Sequence, residues 1–198
     1  MAYKKGNEIP TIDVALVTLS LPESVDEVAL DTSSKIQVSV QSETEDAVKL
    51  IVKGRLIAQK REKVTITGNT IVLTDNVFNP EMVTILQGGT VKYWTDDTHT
   101  TEGTTDTGNG VSSYTPPVAG SSDEVPAFVL NAYSAIYNAA GLIVGYEKIQ
   151  YPNCTGTPIA LNSEDNVFRA PEYTINSAPD IGEPPYAISY VDALPSVS

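Results

Sequence analysis

The chain reads KVTITGNTIVLTDNVFNPEMVTILQGG from Lys63 to Gly89, and this stretch decides the fold class. Its first half contains two runs, Val64–Thr67 and Thr70–Thr74, in which apolar and polar residues alternate. The pair Gly68-Asn69 lies between them and suits the positive φ angles of a tight hairpin turn. The pattern therefore predicts two short β-strands that form a hairpin, each with one face to bury.

The second half of the stretch has the pattern of a short helix. After a connector over Asp75–Phe78, Asn79 is suited to the N-cap and Pro80 to the first helical turn. The apolar residues that follow at i, i+3 and i+4 are Met82, Ile85 and Leu86. The pair Gly88-Gly89 then ends the helix. We expect this helix to close one end of a β-sandwich.

Alternating apolar residues predict further strands on both sides of this stretch. They cover Ile12–Thr18, Lys35–Val40, Ala47–Gln59 (with Gly54 as a bulge), Thr90–Thr95, Ala127–Tyr137, Leu142–Tyr151, Asn166–Ser177 and Pro185–Val191. Their number and spacing favour a single mainly β domain over residues 1–198, built as a β-sandwich or barrel-like fold with one short helix and long loops.

Two segments are not assigned to the sandwich by these patterns. Residues 1–34 are an N-terminal arm, which would lie either on its own domain or on a neighbouring subunit. Within this arm, Glu23–Leu30 fits a short helix or an extended segment. Residues 96–123, DDTHTTEGTTDTGNGVSSYTPPVAGSSD, are typical of a long polar loop. Because long loops in compact domains are usually functional or disordered, we expect this loop to be exposed or packed between subunits.

Charge is distributed unevenly along the chain. Residues 1–63 carry 9 Lys/Arg and 10 Asp/Glu, whereas residues 64–198 carry 3 Lys/Arg and 15 Asp/Glu. An acidic body of this kind disfavours a basic groove for nucleic acid. The N-terminal MAYKKGNEIP lacks the apolar core of a secretory signal, and no apolar run approaches the length of a membrane span. We therefore expect folding in a cytosol.

Two acidic patterns bear on catalysis or metal binding. Asp106-Thr107-Gly108 spells the triplet of aspartic proteases but lacks the apolar strand that would bury paired carboxylates. A second group of carboxylates lies in the same polar loop, without the spacing of an EF-hand: Asp96, Asp97, Glu102 and Asp106. Exposed loop carboxylates explain both patterns more simply than a site does.

Nucleophilic chemistry has equally little support. His99 is the only histidine and Cys154 the only cysteine, so an intrachain disulfide is excluded. No third group is evident that would orient the two as a nucleophile pair. Asn153-Cys154-Thr155 matches a glycosylation site, which requires secretion. The sequence predicts no catalytic residue, no metal site, no cofactor and no enzyme.

Two stretches resemble bacteriophage major tail tube proteins. TGNTIVLTDNVFNPEMVTILQGG, residues 67–89, resembles their segment of hairpin and helix. DNVFRAPEYTINSAPDIGEPPYAISYVDALP, residues 165–195, resembles their closing part. The resemblance implies a virion protein of the phage tail, assembled in the bacterial host cytoplasm. Its copies would form homohexameric rings, each with a shared inner β-barrel, that stack into a tube.

The same resemblance implies partners. A tape-measure protein would set the tube length, and the tube would meet tail terminator and baseplate proteins and, in contractile tails, a sheath. DNA would pass through without specific binding, because an acidic lining repels it along the whole bore. We expect the bore to be lined by Glu147, Glu164 and Asp165. We expect contact with the adjacent subunit from helix residues Asn79, Pro80, Met82, Ile85 and Leu86.

Other functions fit the same sequence. A tail terminator or baseplate component would form a single closed ring, and a contractile bacteriocin tube would use the same subunit design. From another class, a carbohydrate-binding or adhesion β-sandwich would suit the ten tyrosines. Such a protein would normally carry a secretory signal and bind glycans as a monomer.

Overall fold

A computed structural model describes residues 9–21, 27–120 and 125–196. Over these ranges the chain is mainly β with one short helix, which confirms the predicted fold class. The helix is α1 (Pro80–Gln87), and the strands are β1 (Thr11–Ser20), β2 (Glu27–Leu30), β3 (Ser33–Glu45), β4 (Val48–Val52), β5 (Arg55–Lys60), β6 (Lys63–Asp75), β7 (Thr90–Trp94), β8 (Glu102–Gly103), β9 (Val111–Thr115), β10 (Phe128–Tyr137), β11 (Ile143–Gly156), β12 (Glu172–Ser177) and β13 (Ala187–Val191).

Eight strands form one antiparallel sheet in the order β2-β1-β10-β11-β12-β6-β3, with β13 paired to β11 beyond the end of β12. The Cα atoms of β1 and β3 approach within 8 Å although these strands do not pair. The sheet therefore curls over on itself as a sandwich does, without closing. Two small sheets complete the fold, β4-β5 and β8-β7-β9.

The core lies between the two halves of the curled sheet and under the helix. Its largest fully buried side chains include Tyr173, Phe128, Leu19, Ile71, Leu73, Met82, Leu86, Leu130 and Ile175. Each of the aliphatic and phenyl groups contributes roughly 1.5–3 kcal/mol by leaving water. In the described ranges, no helix is long and apolar enough to cross a membrane.

The predicted hairpin turn at Gly68-Asn69 is wrong, because β6 runs straight through both residues. Glycine is needed at 68 by a close approach: a Cβ there would lie 2.4 Å from the backbone oxygen of Ser177. Asn69 is buried, and its amide donates to the backbone oxygen of Pro185 at 3.0 Å. The pair marks the point where β6 runs past the end of β12.

The predicted helix is confirmed together with its N-cap. The Asn79 side-chain oxygen accepts hydrogen bonds from the backbone N–H groups of Glu81 at 2.9 Å and Met82 at 3.4 Å. Pro80 occupies the first turn, where its missing N–H removes no helical hydrogen bond. The helix ends before Gly88, whose φ of 77° suits glycine.

Two predicted segments contain more structure than expected. Ala47–Gln59, predicted as one strand, is instead the hairpin β4–β5, which reverses at Lys53 (φ 50°) and Gly54 (φ 76°). Gly54 therefore belongs to a turn, and the irregular pairing lies between Leu50 and Ile51. The polar segment 96–123 contains β8 and β9, which pair with the two sides of β7.

Three strand predictions need shifted bounds. Glu27–Leu30 is a strand, whereas residues 23–26 of the predicted helix or extended segment lie outside the described residues. The predicted strand Asn166–Ser177 begins only at Glu172, and the residues before it belong to a loop. The predicted hairpin of β10 and β11 is confirmed, with β11 extending to Gly156.

Candidate assembly surfaces

A two-stranded ribbon projects from the sheet, formed by residues 41–67. It consists of the end of β3, the β4–β5 hairpin and the start of β6. In this region β3 pairs only with β6, and β4 only with β5, among the described strands. Every residue of the ribbon except Ala47 is exposed. The ribbon therefore contributes almost nothing to the core of its own chain.

Strand pairing and one ion pair hold the ribbon together. Backbone pairing continues to Glu45 opposite Lys63, and the hairpin then begins with Val48 opposite Lys60. The ammonium group of Lys60 lies 2.9 Å from a carboxylate oxygen of Glu45 and ties the hairpin to the end of β3. Because both side chains are more than half exposed, this ion pair contributes little to stability.

The ribbon exposes aliphatic side chains on both faces. Eight of them are each at least 46% exposed: Val48, Leu50, Ile51, Val52, Leu56, Ile57, Val64 and Ile66. Alternation puts Leu50 and Ile51 on opposite faces. An isolated two-stranded ribbon is marginally stable, and a large exposed apolar surface indicates an interaction site. These observations point to a binding partner on the ribbon.

The hairpin is also strongly basic. Residues 48–60 contain four Lys/Arg and no Asp/Glu, whereas the rest of the chain contains 8 Lys/Arg and 25 Asp/Glu. Lys60 pairs with Glu45, but Lys49, Lys53 and Arg55 form no ion pair with any described residue. The hairpin therefore presents an apolar, positively charged surface on an acidic protein.

A second exposed surface lies on the β11–β12 loop, residues 157–171. The loop is anchored at its start, because the backbone N–H of Thr157 donates to the oxygen of Thr174 at 3.0 Å. Two residues later, the N–H of Ile159 donates to the side-chain oxygen of Gln87 in α1 at 2.8 Å. The helix thus positions the loop as well as covering the core.

A groove of about 780 Å³ lies between this loop and the ends of β6 and β12. Three apolar side chains of the loop are exposed, namely Leu161 (55%), Val167 (60%) and Phe168 (96%). Three exposed carboxylates accompany them: Glu164, Asp165 and Glu172. The loop surface is therefore apolar and acidic, where the hairpin is apolar and basic.

These two surfaces lie at opposite ends of β6. Lys63 begins the strand next to the hairpin, and Thr74 near its other end lines the groove. At 3.3 Å per residue, the eleven steps between them span about 36 Å. The hairpin and the groove of one chain are therefore separated by the length of the sandwich.

The predicted interface residues of the helix fall into two groups. Met82 (0% exposed) and Leu86 (1%) are buried in the core of their own chain, as is Val83 (1%), which was not among the predicted residues. Asn79, Pro80 and Ile85 are partly exposed. Contact of these three with an adjacent subunit stays a prediction.

The structure does not bring the three predicted bore residues together. Glu147 lies in the middle of β11, opposite Ser134 on one side and Tyr190 on the other. Glu164 and Asp165 lie on the β11–β12 loop, which begins after Gly156. The nine steps from Glu147 to the end of β11 span about 30 Å. That any of them faces a bore stays a prediction.

Two carboxylates of the polar segment, Asp96 and Asp106, accept hydrogen bonds within local turns. Asp96 accepts hydrogen bonds from the backbone N–H of Thr100, the hydroxyl of Thr98 and the N–H of Thr101, which lowers its pKa. Asp106 accepts one from the N–H of Gly108 at 2.8 Å. Among the described residues, no group of three or more His, Cys, Asp or Glu side chains is arranged to hold a metal.

His99 and Cys154 lie on different elements. His99 is exposed, and its ring centroid lies 5.3 Å from that of Trp94. Cys154 is fully buried in β11, and burial raises the pKa of its thiol to about 11. Since the thiolate is the reactive form, a buried neutral thiol does not act as a nucleophile.

Neither candidate assembly surface was predicted from the sequence. The consecutive apolar residues Leu50-Ile51-Val52 and Leu56-Ile57 carried a readable signal, because they put apolar side chains on both faces of a hairpin. No comparable signal marks Phe168, whose exposure depends on the path of the loop.

No family model and no curated protein matches the chain. It is similar to the solved structure of the anti-feeding prophage (AFP) tube terminating cap, with a TM-score of 0.41 and 10% identity over 94% of this chain and 93% of that chain. It is also similar to the 6-fold symmetrised AFP baseplate, with a TM-score of 0.34 and 10% identity over 93% and 94%. Likenesses at these scores establish neither a common function nor a common assembly.

Proposed function

We propose that this chain is a structural subunit that assembles with copies of itself into a tube, as the major tail tube proteins it resembles do. The observation that carries the proposal is the ribbon, whose eight exposed aliphatic side chains have no cover in their own chain. Covering the exposed half of these groups contributes on the order of 8 kcal/mol. That is comparable with the entropic cost of association, so further contacts decide the affinity.

Free strand edges supply such contacts. β3 is an end strand of the large sheet, and residues 63–67 of β6 pair only with β3 among the described strands. Unpaired edges of this length pair readily with strands of another chain. Rings of six copies with a shared inner barrel are the arrangement that the resemblance implies, and they would satisfy these edges.

The tube would act as a conduit for DNA in a phage tail. The net charge of −13 supports this role, because a subunit that is acidic outside its basic hairpin repels DNA over most of its surface. A tape-measure protein that sets the length, together with terminator and baseplate proteins at the two ends, completes the proposed assembly.

The experiment is electron microscopy and analytical ultracentrifugation of the purified protein at increasing concentration. We expect tubes with a central channel that lengthen as the concentration rises, because a repeated head-to-tail contact has no natural limit. A single closed ring at every concentration would favour a tail terminator or baseplate component. A monomer at every concentration would refute self-assembly, and glycan binding by that monomer would favour an adhesion module.

A further inference from the structure

We infer that the groove of the β11–β12 loop receives the β4–β5 hairpin of a second copy, so that subunits join head to tail through these two surfaces. The inference rests on the proposed self-assembly and identifies where one copy holds the next. The occupant is argued below from charge, from apolar surface and from the distance between the two surfaces.

Charge complementarity favours the hairpin as the occupant. The hairpin carries four basic residues and no acidic one, whereas Glu164 and Glu172 line the groove and Asp165 lies beside Glu164 on the loop. None of these three carboxylates forms an ion pair with any described residue. A positive hairpin and an acidic groove attract each other and disfavour pairing of like surfaces.

The one basic residue of the loop, Arg169, offsets only one of the three carboxylate charges. Arg169 donates from Nε to the backbone oxygen of Asn162 at 3.1 Å and from Nη2 to the hydroxyl of Ser163 at 2.7 Å. Its guanidinium carbon also lies 5.8 Å from the ring centroid of Phe78. Arg169 is thus engaged in shaping the loop, and the exposed carboxylates face solvent.

The apolar parts of the two surfaces also match. Phe168, Val167 and Leu161 expose apolar area beside the carboxylates, as Ile51, Leu56 and Ile57 do beside the basic residues of the hairpin. The groove of about 780 Å³ falls in the range of roughly 300–1,000 Å³ that accommodates a ligand-sized group. A hairpin tip has the size and the mixed chemistry that such a groove accepts.

Distance excludes contact between the two surfaces within one chain. They lie at opposite ends of β6, about 36 Å apart along the strand. The hairpin that fills a groove must therefore come from another copy. Because each copy then keeps a free hairpin at one end and a free groove at the other, the contact can repeat from copy to copy, and it extends into a stack unless its rotation closes a ring.

Charge reversal tests the pairing. Lys53→Glu with Arg55→Glu in the hairpin should lower the fraction of protein that sediments as tubes by about tenfold or more, as should Glu164→Lys with Asp165→Lys in the loop. The chain carrying all four changes should recover assembly, because the charges are again opposite. The matched control for the loop reversal is Asp97→Lys with Asp180→Lys, the same change of charge at exposed positions outside both surfaces.

Disulfide trapping tests the same contact without changing its charge pattern. The chain with Ile57→Cys and Phe168→Cys should give a ladder of reducible multimers under oxidation, whereas either change alone should give at most dimers. Cys154 is buried and adds no background. If wild-type tubes form but both reversals assemble normally and no ladder appears, this inference is wrong and self-assembly stands. If the wild-type chain never assembles, the proposed function itself falls.

Discussion

Three buried or partly buried tyrosines make the free energy of unfolding depend on pH in the alkaline range. Burial raises the pKa of Tyr151 and Tyr173. Burial, followed by the hydrogen bond that its hydroxyl donates to Glu81 at 2.8 Å, raises the pKa of Tyr93 to about 12. A raised pKa means that the folded state keeps its proton longer than the unfolded state. The stabilisation is therefore complete below the unfolded pKa of about 10 and is lost as pH rises towards 12.

We expect the free energy of unfolding, measured by urea denaturation, to decrease as pH rises above about 10. Tyr93→Phe should reduce that decrease, because the group that titrates is gone. Tyr190→Phe, at a tyrosine that is 55% exposed, is the control and should leave the slope unchanged. An identical slope in the Tyr93 variant would contradict the assignment.

The Cys154 thiol offers a second test at the scale of one residue. It is 0% exposed, and its pKa is raised to about 11 by burial. We expect negligible reaction with a thiol reagent at pH 8 in the native protein and complete reaction in denaturant. Rapid labelling of the native chain would show that β11 opens locally.

At the scale of elements, the helix should be stabilised mainly by its buried face. Leu86 is 1% exposed, whereas Ile85 is only partly buried. Leu86→Ala should lower the free energy of unfolding by about 2–5 kcal/mol, the usual cost of a cavity at a fully buried site. Ile85→Ala should cost less than half as much, by urea denaturation under the same conditions. Equal losses would mean that the helix is rotated about its axis.

Local chemistry made the helix predictable, and distant contacts made other elements unpredictable. Asn79, Pro80 and Gly88 act within one helix, so their roles can be inferred from spacing alone. Gly68-Asn69 has the composition of a turn, but its conformation is set by Ser177 and Pro185, more than one hundred residues away in sequence. β9 has a Ser-rich sequence and exists because it pairs with β7. Alternating residues predicted the strands of the ribbon. The exposure of the ribbon could not be predicted, because it depends on whether other elements of the fold cover these strands.

The β4–β5 hairpin at the end of the ribbon should be separable from the fold. Replacing residues 48–60 by a Gly-Asn turn removes no core residue, so Tm should change by only about 2 °C. The shortened chain should stay monomeric, by sedimentation, at concentrations where we expect the full chain to form tubes. Loss of the native circular dichroism spectrum on shortening would show that the hairpin stabilises its own chain. Tubes formed by a folded, shortened chain would contradict the role of the ribbon.

At the scale of the whole molecule, the acidic surface allows a test of the proposed passage of DNA. If Glu147 faces the bore, Glu147→Lys should leave tubes intact but slow the release of DNA from particles. A non-specific basic site holds DNA by roughly 5–8 kcal/mol, and this attraction would recur in every subunit. Release measured by fluorescence of a DNA dye checks the rate, with Asp97→Lys as the matched change of charge. Normal release from the Glu147 variant would remove this residue from the bore.

The sandwich and the ribbon differ in stiffness. The sandwich consists of an eight-stranded sheet that packs around a buried core. The ribbon is joined to this sheet through β3 and β6 alone. A ribbon of two strands without a packed core bends far more easily than a packed sheet. A stack of subunits linked through such ribbons would therefore bend at the ribbons, while each sandwich would stay rigid.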